Sequence, residues 1–211
     1  MVPPGIWVAP TTGTQTPRVG DHYGSLSVMH AVELVFVAVW AVFWLYWLIA
    51  AFSTKRGRVL WFRELAIRAV IVVIALLLIR LGAFRGNGLN TENSWRVALG
   101  LCLLFLGLGS AVWARVHIGR NWGTPMTQKE EPELVTSGPY RLVRHPIYSG
   151  ILVAGIGTAI ALSWFWLTAV ALAAIYFVYS ATVEEHYLTA LIPDAYPAYK
   201  RSTKMLVPFI F

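Results

Sequence analysis

From Pro146 to Val183 the sequence runs for thirty-eight consecutive residues without a formal charge. At 1.5 Å per residue, one helix of that length would reach about 57 Å, nearly twice the ~30 Å hydrocarbon core of a bilayer. The run therefore predicts two short apolar helices folded back on each other, with the turn near Ser163–Trp164. Gly150, Gly155 and Gly157, together with Ala154, Ala159 and Ala161, give the hairpin a small-residue surface on which another helix can approach closely.

Three further segments share this apolar character. Residues 34–52 (LVFVAVWAVFWLYWLIAAF) are nineteen uncharged residues, and Val97 to Ala114 gives eighteen more. Between them, the apolar run AVIVVIALLLI sits between Arg68 and Arg80, two side chains able to snorkel to headgroups, and predicts a span over 66–84. With 57% of the chain apolar and 13% charged, a water-soluble globule could not hide so much apolar surface. The expected fold is an all-α integral membrane protein with five transmembrane helices, the fourth and fifth forming the hairpin over 146–183. Its divisions are an N-terminal arm at 1–25, rich in Pro, Gly and Thr, three spans within 26–116, and a core at 117–211. The arm lacks the basic start and apolar centre of a cleavable signal peptide.

Basic residues set the expected orientation. With the N-terminus outside, thirteen of the Lys and Arg residues fall on the inner side, against Arg18, Arg80, Arg85 and Arg96 outside. That satisfies the positive-inside rule, so the net charge of +7 is accounted for by topology and anionic lipid without nucleic acid. The polar segments 117–145 and 184–211 then face the cytosol together, in a bacterial inner membrane or an endoplasmic reticulum. Cys102 is the single cysteine, which excludes a disulfide framework and thiolate metal sites.

Those two polar segments hold the residues with chemical potential. Ser137-Gly138-Pro139-Tyr140 is a turn signal. Arg144-His145-Pro146 puts two polar side chains immediately before a proline suited to the first position of a helix. Glu184-Glu185-His186 follows the fifth span, where negative charge opposes the helix dipole and needs a cation close by. Folding the hairpin returns both ends to one face and brings Arg144 and His145 toward Glu184 and Glu185. No HxxxH or HExxH spacing occurs, so no metal site is expected. The tail AYPAYKRSTKMLVPFIF, with Tyr196, Tyr199, Lys200 and Arg201, reads equally as an interfacial anchor or as part of this site.

The string LVTSGPYRLVRHPIYSG, followed by EE and then L-x(7)-Y-x(2)-Y-[KR], resembles the isoprenylcysteine carboxyl methyltransferases and their bacterial relatives in the phospholipid methyltransferase superfamily. The similarity covers about 120–211. It implies an integral membrane enzyme that methylates a lipophilic or prenylated acceptor with S-adenosylmethionine, in a cytosolic cofactor pocket built from the 117–146 connector and the C-terminal segment. Carried over by the resemblance, Leu134, Val135, Gly138 and Tyr140 line the adenine and ribose end. His145, Pro146, Tyr148 and Gly150 frame the cofactor against the fourth span, and Glu184 meets its polar groups. Arg144, Glu185 and Arg201 form an ion-pair network that orders the pocket and orients an acceptor carboxylate. The chain departs from the family pattern at Pro132, in place of a histidine, and at Ile192-Pro193-Asp194.

Methyl transfer to a carboxylate needs a positioning cation and no base, whereas an amine or thiol acceptor needs deprotonation, for which Glu185 and His145 are the candidates. A nicotinamide-dependent membrane reductase of the sterol type shares the RHP-x-Y-x-G core, but is ordinarily longer. A non-enzymatic scaffold leaves the Glu184–Glu185 pair without an account. The acceptor and the oligomeric state stay open at this stage.

Overall fold

The structure is a computed structural model, which describes residues 19–51, 57–58, 94–122, 128–129 and 133–210. Within them the protein is all-α apart from two minimal pairings. The helices are α1 (Val19–Ala51), α2 (Ser94–Ile118), α3 (Pro146–Ala161), α4 (Trp166–Leu191) and a short α5 (Ala195–Ser202). Strands β1 (Gly57–Arg58) and β2 (Gln128–Lys129) form an antiparallel pair that ties the segment after α1 to the connector before α3.

Among the described residues, three stretches are long and apolar enough to cross a membrane: His30–Ala50 within α1, all of α2 and all of α4. Their middles expose apolar side chains outward, Phe105 at 57% and Ile175 at 68%, which suits lipid as solvent. Helix α3 has 16 residues, about 24 Å, and by itself falls short of a ~30 Å core. The span expected at 66–84 lies outside the described residues. Helix α1 begins at Val19, so residues 19–25, expected in a loose arm, are helical.

The turn inside the uncharged run falls where the sequence places it. Helix α3 stops at Ala161, and Leu162 to Phe165 make the reversal, with the Phe165 N–H donating to Ser163 Oγ at 3.4 Å. At the other end Pro146 occupies the first turn of α3, where its missing N–H costs nothing. Helix α4 does not end at Val183. It continues through Glu184-Glu185 to Leu191, because the residues after Val183 keep good helix formers and the chain breaks only at Ile192-Pro193.

Among the described helices, α2 and α3 make the closest contact. Gly100, Leu104, Gly107 and Ala111 recur at spacings of four, three and four on α2, and Gly150, Ala154, Gly157 and Ala161 repeat that pattern on α3. A Cβ on Gly107 would stand 2.5 Å from both the Gly150 carbonyl and the Ala154 nitrogen, and one on Gly100 2.6 Å from the Gly157 carbonyl. The two backbones therefore touch, as small residues permit between helices in lipid. Gly155 faces the other way, toward Val170 of α4. Trp40 on α1 donates its Nε1–H to Thr158 Oγ1 on α3 at 3.1 Å and fixes α1 against the pair.

Candidate active site

The C-terminal end of α2, the N-terminal end of α3 and the last turns of α4 meet at one end of the molecule. Helix α2 closes at Gly119, whose φ of +55° favours glycine. Arg115, almost wholly buried, donates to the Gly119 carbonyl at 2.8 Å and to the Ala50 carbonyl at 2.7 Å. Its guanidinium lies 4.6 Å from the Trp122 ring centroid. One side chain thus caps two helices and seats the tryptophan.

Past α5 the chain returns as a strap along the start of α3. Arg144 N–H donates to the Lys204 carbonyl at 2.8 Å and His145 N–H to the Met205 carbonyl at 3.1 Å, beside a parallel bridge between Val143 and Lys204. Ser149 Oγ adds a bond to the Leu206 carbonyl at 2.6 Å. Tyr199 OH donates to the Tyr140 carbonyl at 2.6 Å. Burial pushes the Tyr199 phenol up to about 12 and moves those of Tyr140 and Tyr196 upward as well, so all three stay protonated at neutral pH.

Glu185 is the hub. It is 1% exposed, and Arg144 Nε donates to its Oε1 at 2.6 Å while Lys200 Nζ stands 2.8 Å from its Oε2. His145 Nε2 lies 3.4 Å from Oε1. Arg144 Nη1 reaches the Lys200 carbonyl at 3.2 Å and also the Thr203 carbonyl. A buried carboxylate held by cations from α5 and from the loop before α3 locks α4, the loop and the strap into one unit.

Above this hub is a cleft lined by Ile118, Asn121, Trp122, Tyr140, Arg144, His145, Pro146, Ile147, Tyr148 and Glu184. Trp122, Tyr140, His145 and Tyr148 supply its aromatic walls, with Phe177 behind them. His145 stacks on Tyr148 with centroids 5.4 Å apart, and Tyr148 stacks on Phe177 at 4.5 Å. Glu184 presents a half-exposed carboxylate, with Oε2 3.9 Å from His145 Nδ1. Asn121 Oδ1 is buried without a hydrogen-bond partner among the described residues, although the same amide donates from Nδ2 to Glu133 Oε2 at 2.9 Å.

Of the residues singled out in the sequence, the structure brings Tyr140, Arg144, His145, Pro146, Tyr148 and Glu184 together in this cleft, with Glu185 beneath. Val135 packs against the cluster containing Trp122, Tyr140 and Tyr148, and Leu134 beside it is half-buried. Gly138, at φ +59°, abuts the His117 ring, which bonds Ser137 Oγ at 2.9 Å. Gly150 packs against α2 at Gly107 and Ala111. Arg201 is exposed, and its neighbour Lys200 makes the contact with Glu185. Helical spacing carries the signal for that exchange: Tyr196 and Tyr199 are buried on one face of α5, and Lys200 follows Tyr196 by four. Asn121 and Trp122 were not anticipated, since nothing in a single sequence separates NWG from an ordinary connector.

Residues 95–193, which carry nearly all of α2, α3, α4 and the cleft, match the family model described as phospholipid methyltransferase. Protein-S-isoprenylcysteine O-methyltransferases A and B of Arabidopsis thaliana are each 31% identical to this chain over 124 residues, 56% of this chain and 62% of theirs. Methanethiol S-methyltransferase of Pseudomonas sp. (strain GM41(2012)) is 30% identical over 146 residues, 65% of this chain and 56% of its own length. The cleft thus sits in a segment similar to the family described as phospholipid methyltransferase. Within it the relationship extends to the isoprenylcysteine methyltransferases, at about 30% identity. The chain spans somewhat less than two thirds of the length of these curated relatives.

Proposed function

We propose that this chain transfers a methyl group from S-adenosylmethionine to a lipophilic acceptor at the boundary between membrane and cytosol. The observation that carries this is the cleft itself: aromatic walls, one half-exposed carboxylate and one unpartnered amide oxygen, gathered at the ends of apolar helices inside the matched segment. The donor set fits the cofactor. Trp122 and Tyr140 supply faces for a purine, while Glu184 and Asn121 Oδ1 accept from its amine or hydroxyl donors and favour its positive charge.

S-adenosylmethionine supplies an electrophilic methyl group on a sulfonium, whose leaving thioether is neutral. The chain's work is therefore alignment and exclusion of water, holding the acceptor atom about 3–3.5 Å from the carbon it attacks. Arg144 spends Nε and Nη1 on Glu185 and two carbonyls, so it positions the strap and α4. Glu185, held by cations on both oxygens, is poorly placed to take a proton and acts as the same kind of anchor. Lys200 is half-exposed while bound to Glu185 and is the cation best placed for an anionic acceptor head; Arg201 beside it is the second. A thiol or amine acceptor would use His145, which borders the cleft, as its base. The names of the relatives span both a prenylated carboxylate and a small thiol, so the acceptor class is left at lipophilic.

The five-span arrangement with α3 and α4 as a short hairpin, and an outside N-terminus, complete the proposal. Among the described residues, Arg115, Arg141, Arg144, Lys200, Arg201 and Lys204 lie at the cleft end. Arg96 sits at the opposite end, bonded to the Ile160 carbonyl at 3.1 Å. The positive-inside rule then puts the cleft in the cytosol.

Thermal unfolding of detergent-purified protein with S-adenosylhomocysteine and with NADPH tests the reading. A ligand at 100 times its dissociation constant adds about 2.7 kcal/mol. S-adenosylhomocysteine should stabilise and NADPH should not; the reverse pattern would sink the proposal in favour of a reductase. Glu184→Gln should remove the S-adenosylhomocysteine shift, and an undiminished shift would take Glu184 out of the site.

A further inference from the structure

Asn121 is the last residue of the short helical turn Gly119–Asn121 that follows α2, and the Trp122 N–H closes this turn on the Gly119 carbonyl at 3.2 Å. Arg115 holds the same carbonyl at 2.8 Å, so the backbone that carries Asn121 is tied to α2. Its side-chain Nδ2 donates to Glu133 Oε2 at 2.9 Å, and Glu133 is exposed on the connector before α3. Asn121 also lines the cleft, where its Oδ1 is buried without a hydrogen-bond partner among the described residues.

A side-chain amide has two chemically opposite ends of nearly equal shape. An ionised carboxylate only accepts hydrogen bonds, so Glu133 selects the orientation with the amide NH2 outward and the carbonyl toward the cleft. A buried acceptor left open is costly, and a donor on a ligand recovers that cost. The surroundings say which donor. Trp122 follows Asn121 in the chain and shares a buried cluster with Tyr140. Arg144 and His145 reach the cleft from the start of α3, and Glu184 from α4. The Glu184 carboxylate suits the hydroxyls and the positive charge of the cofactor. That leaves the neutral Asn121 carbonyl, beside the rings, for the edge of the base.

We propose that the Asn121–Glu133 pair makes the cleft select a purine with an exocyclic amine over one with a carbonyl in its place. The Asn121 carbonyl accepts from that amine, and Glu133 is the positioning residue that keeps the carbonyl turned inward. The inference rests on the methyl-transfer reading and names how the base of its cofactor is told apart. A purine with a carbonyl there sets two acceptors against each other, and both go unpaired. Sites built to bond a donor reject an analogue that lacks it. With one neutral hydrogen bond at stake, the expected preference is about tenfold or more.

Calorimetric titration of the detergent-purified chain with S-adenosylhomocysteine and with its deaminated counterpart, S-inosylhomocysteine, tests this. The parent should bind the adenosyl compound about tenfold more tightly, or better. Glu133→Gln lifts the one-way constraint, because a Gln side chain donates as well as accepts and lets the Asn121 amide turn over. Binding of the inosyl compound should then improve, and the preference should fall to about threefold or less. A merely structural loss could weaken both compounds but could not strengthen one. Without ligand this variant should melt within about 2 °C of the parent, since Glu133 is exposed. Asn121→Ala should equalise the two compounds from the other side, by weakening the adenosyl one. Equal binding of both by the parent, or a preference that survives both variants, overturns the proposal and leaves the methyl-transfer reading in place. So does a parent indifferent to the base but weakened by an analogue lacking a ribose hydroxyl, which would put Asn121 on the sugar. A parent that binds neither compound removes the methyl-transfer reading, and this inference with it.

Discussion

Replacing Glu185 by Gln probes the hub with the least change in shape. The carboxylate is 1% exposed and meets Arg144 at 2.6 Å, Lys200 at 2.8 Å and His145 at 3.4 Å. Removing one partner of a buried ion pair costs about 3–5 kcal/mol, because the other charge stays behind without compensation. Two features of the site pull the figure to the lower end. Arg144 keeps the Lys200 and Thr203 carbonyls as acceptors, and Lys200 is half-exposed, so its own pairing is worth ~0–1 kcal/mol. The expected loss is about 3 kcal/mol, which for a chain of this size lowers the unfolding temperature by roughly 6–12 °C. Tryptophan-fluorescence melting in detergent measures it, with Glu184→Gln as the half-exposed neighbour expected to shift little. Arg144→Met combined with Glu185→Leu should recover part of the loss, since a well-packed apolar pair removes both stranded charges. A Glu185→Gln protein within about 1 kcal/mol of the parent, or one matched by Glu184→Gln, would refute the hub.

Other outcomes follow from the same geometry. Gly107→Leu forces a side chain against α3 backbone at 2.5 Å and should cost at least the ~1–3 kcal/mol of an overpacked core, whereas Gly109→Leu, with nothing within 4 Å, should melt like the parent. Lys200→Met should raise the KM for an anionic acceptor more than Arg201→Met does, at unchanged S-adenosylhomocysteine affinity; equal effects would return Arg201 to the site. Burial holds the folded Tyr199 phenol at about 12, above the ordinary value near 10, so its contribution is intact below pH ~10 and is lost as pH rises toward 12. Stability should accordingly fall above pH ~10, Tyr199 contributing up to about 1.4 kcal/mol per unit beside Tyr140 and Tyr196, and Tyr199→Phe should make the fall less steep.

The break in the uncharged run was legible because a run too long for one span must be interrupted, and the helices part at Leu162–Phe165, near the expected Ser163–Trp164. The meeting of Arg144 and His145 with Glu184 and Glu185 followed from that hairpin, since both its ends return to one face. Boundaries were less legible. Nothing in the charge pattern says that α4 runs two turns past Val183, because helix propensity continues after hydrophobicity stops. The packing partner of Gly150 was hidden for a different reason: it lies on α2, in Gly100 and Gly107, and pairing two small-residue faces needs the third dimension. That Lys200, next to Arg201, makes the Glu185 contact is a one-residue rotation on an eight-residue helix whose inner face buries Tyr196 and Tyr199.

Ultraviolet crosslinking of methyl-labelled S-adenosylmethionine to the purified protein, followed by peptide mapping, tests the central claim most directly. The cofactor-binding cleft predicts label on the peptides carrying Asn121–Trp122, Tyr140–Tyr148 and Glu184, displaced by S-adenosylhomocysteine and untouched by NADPH. Absence of displaceable label, or label confined to peptides remote from this cleft, would contradict it.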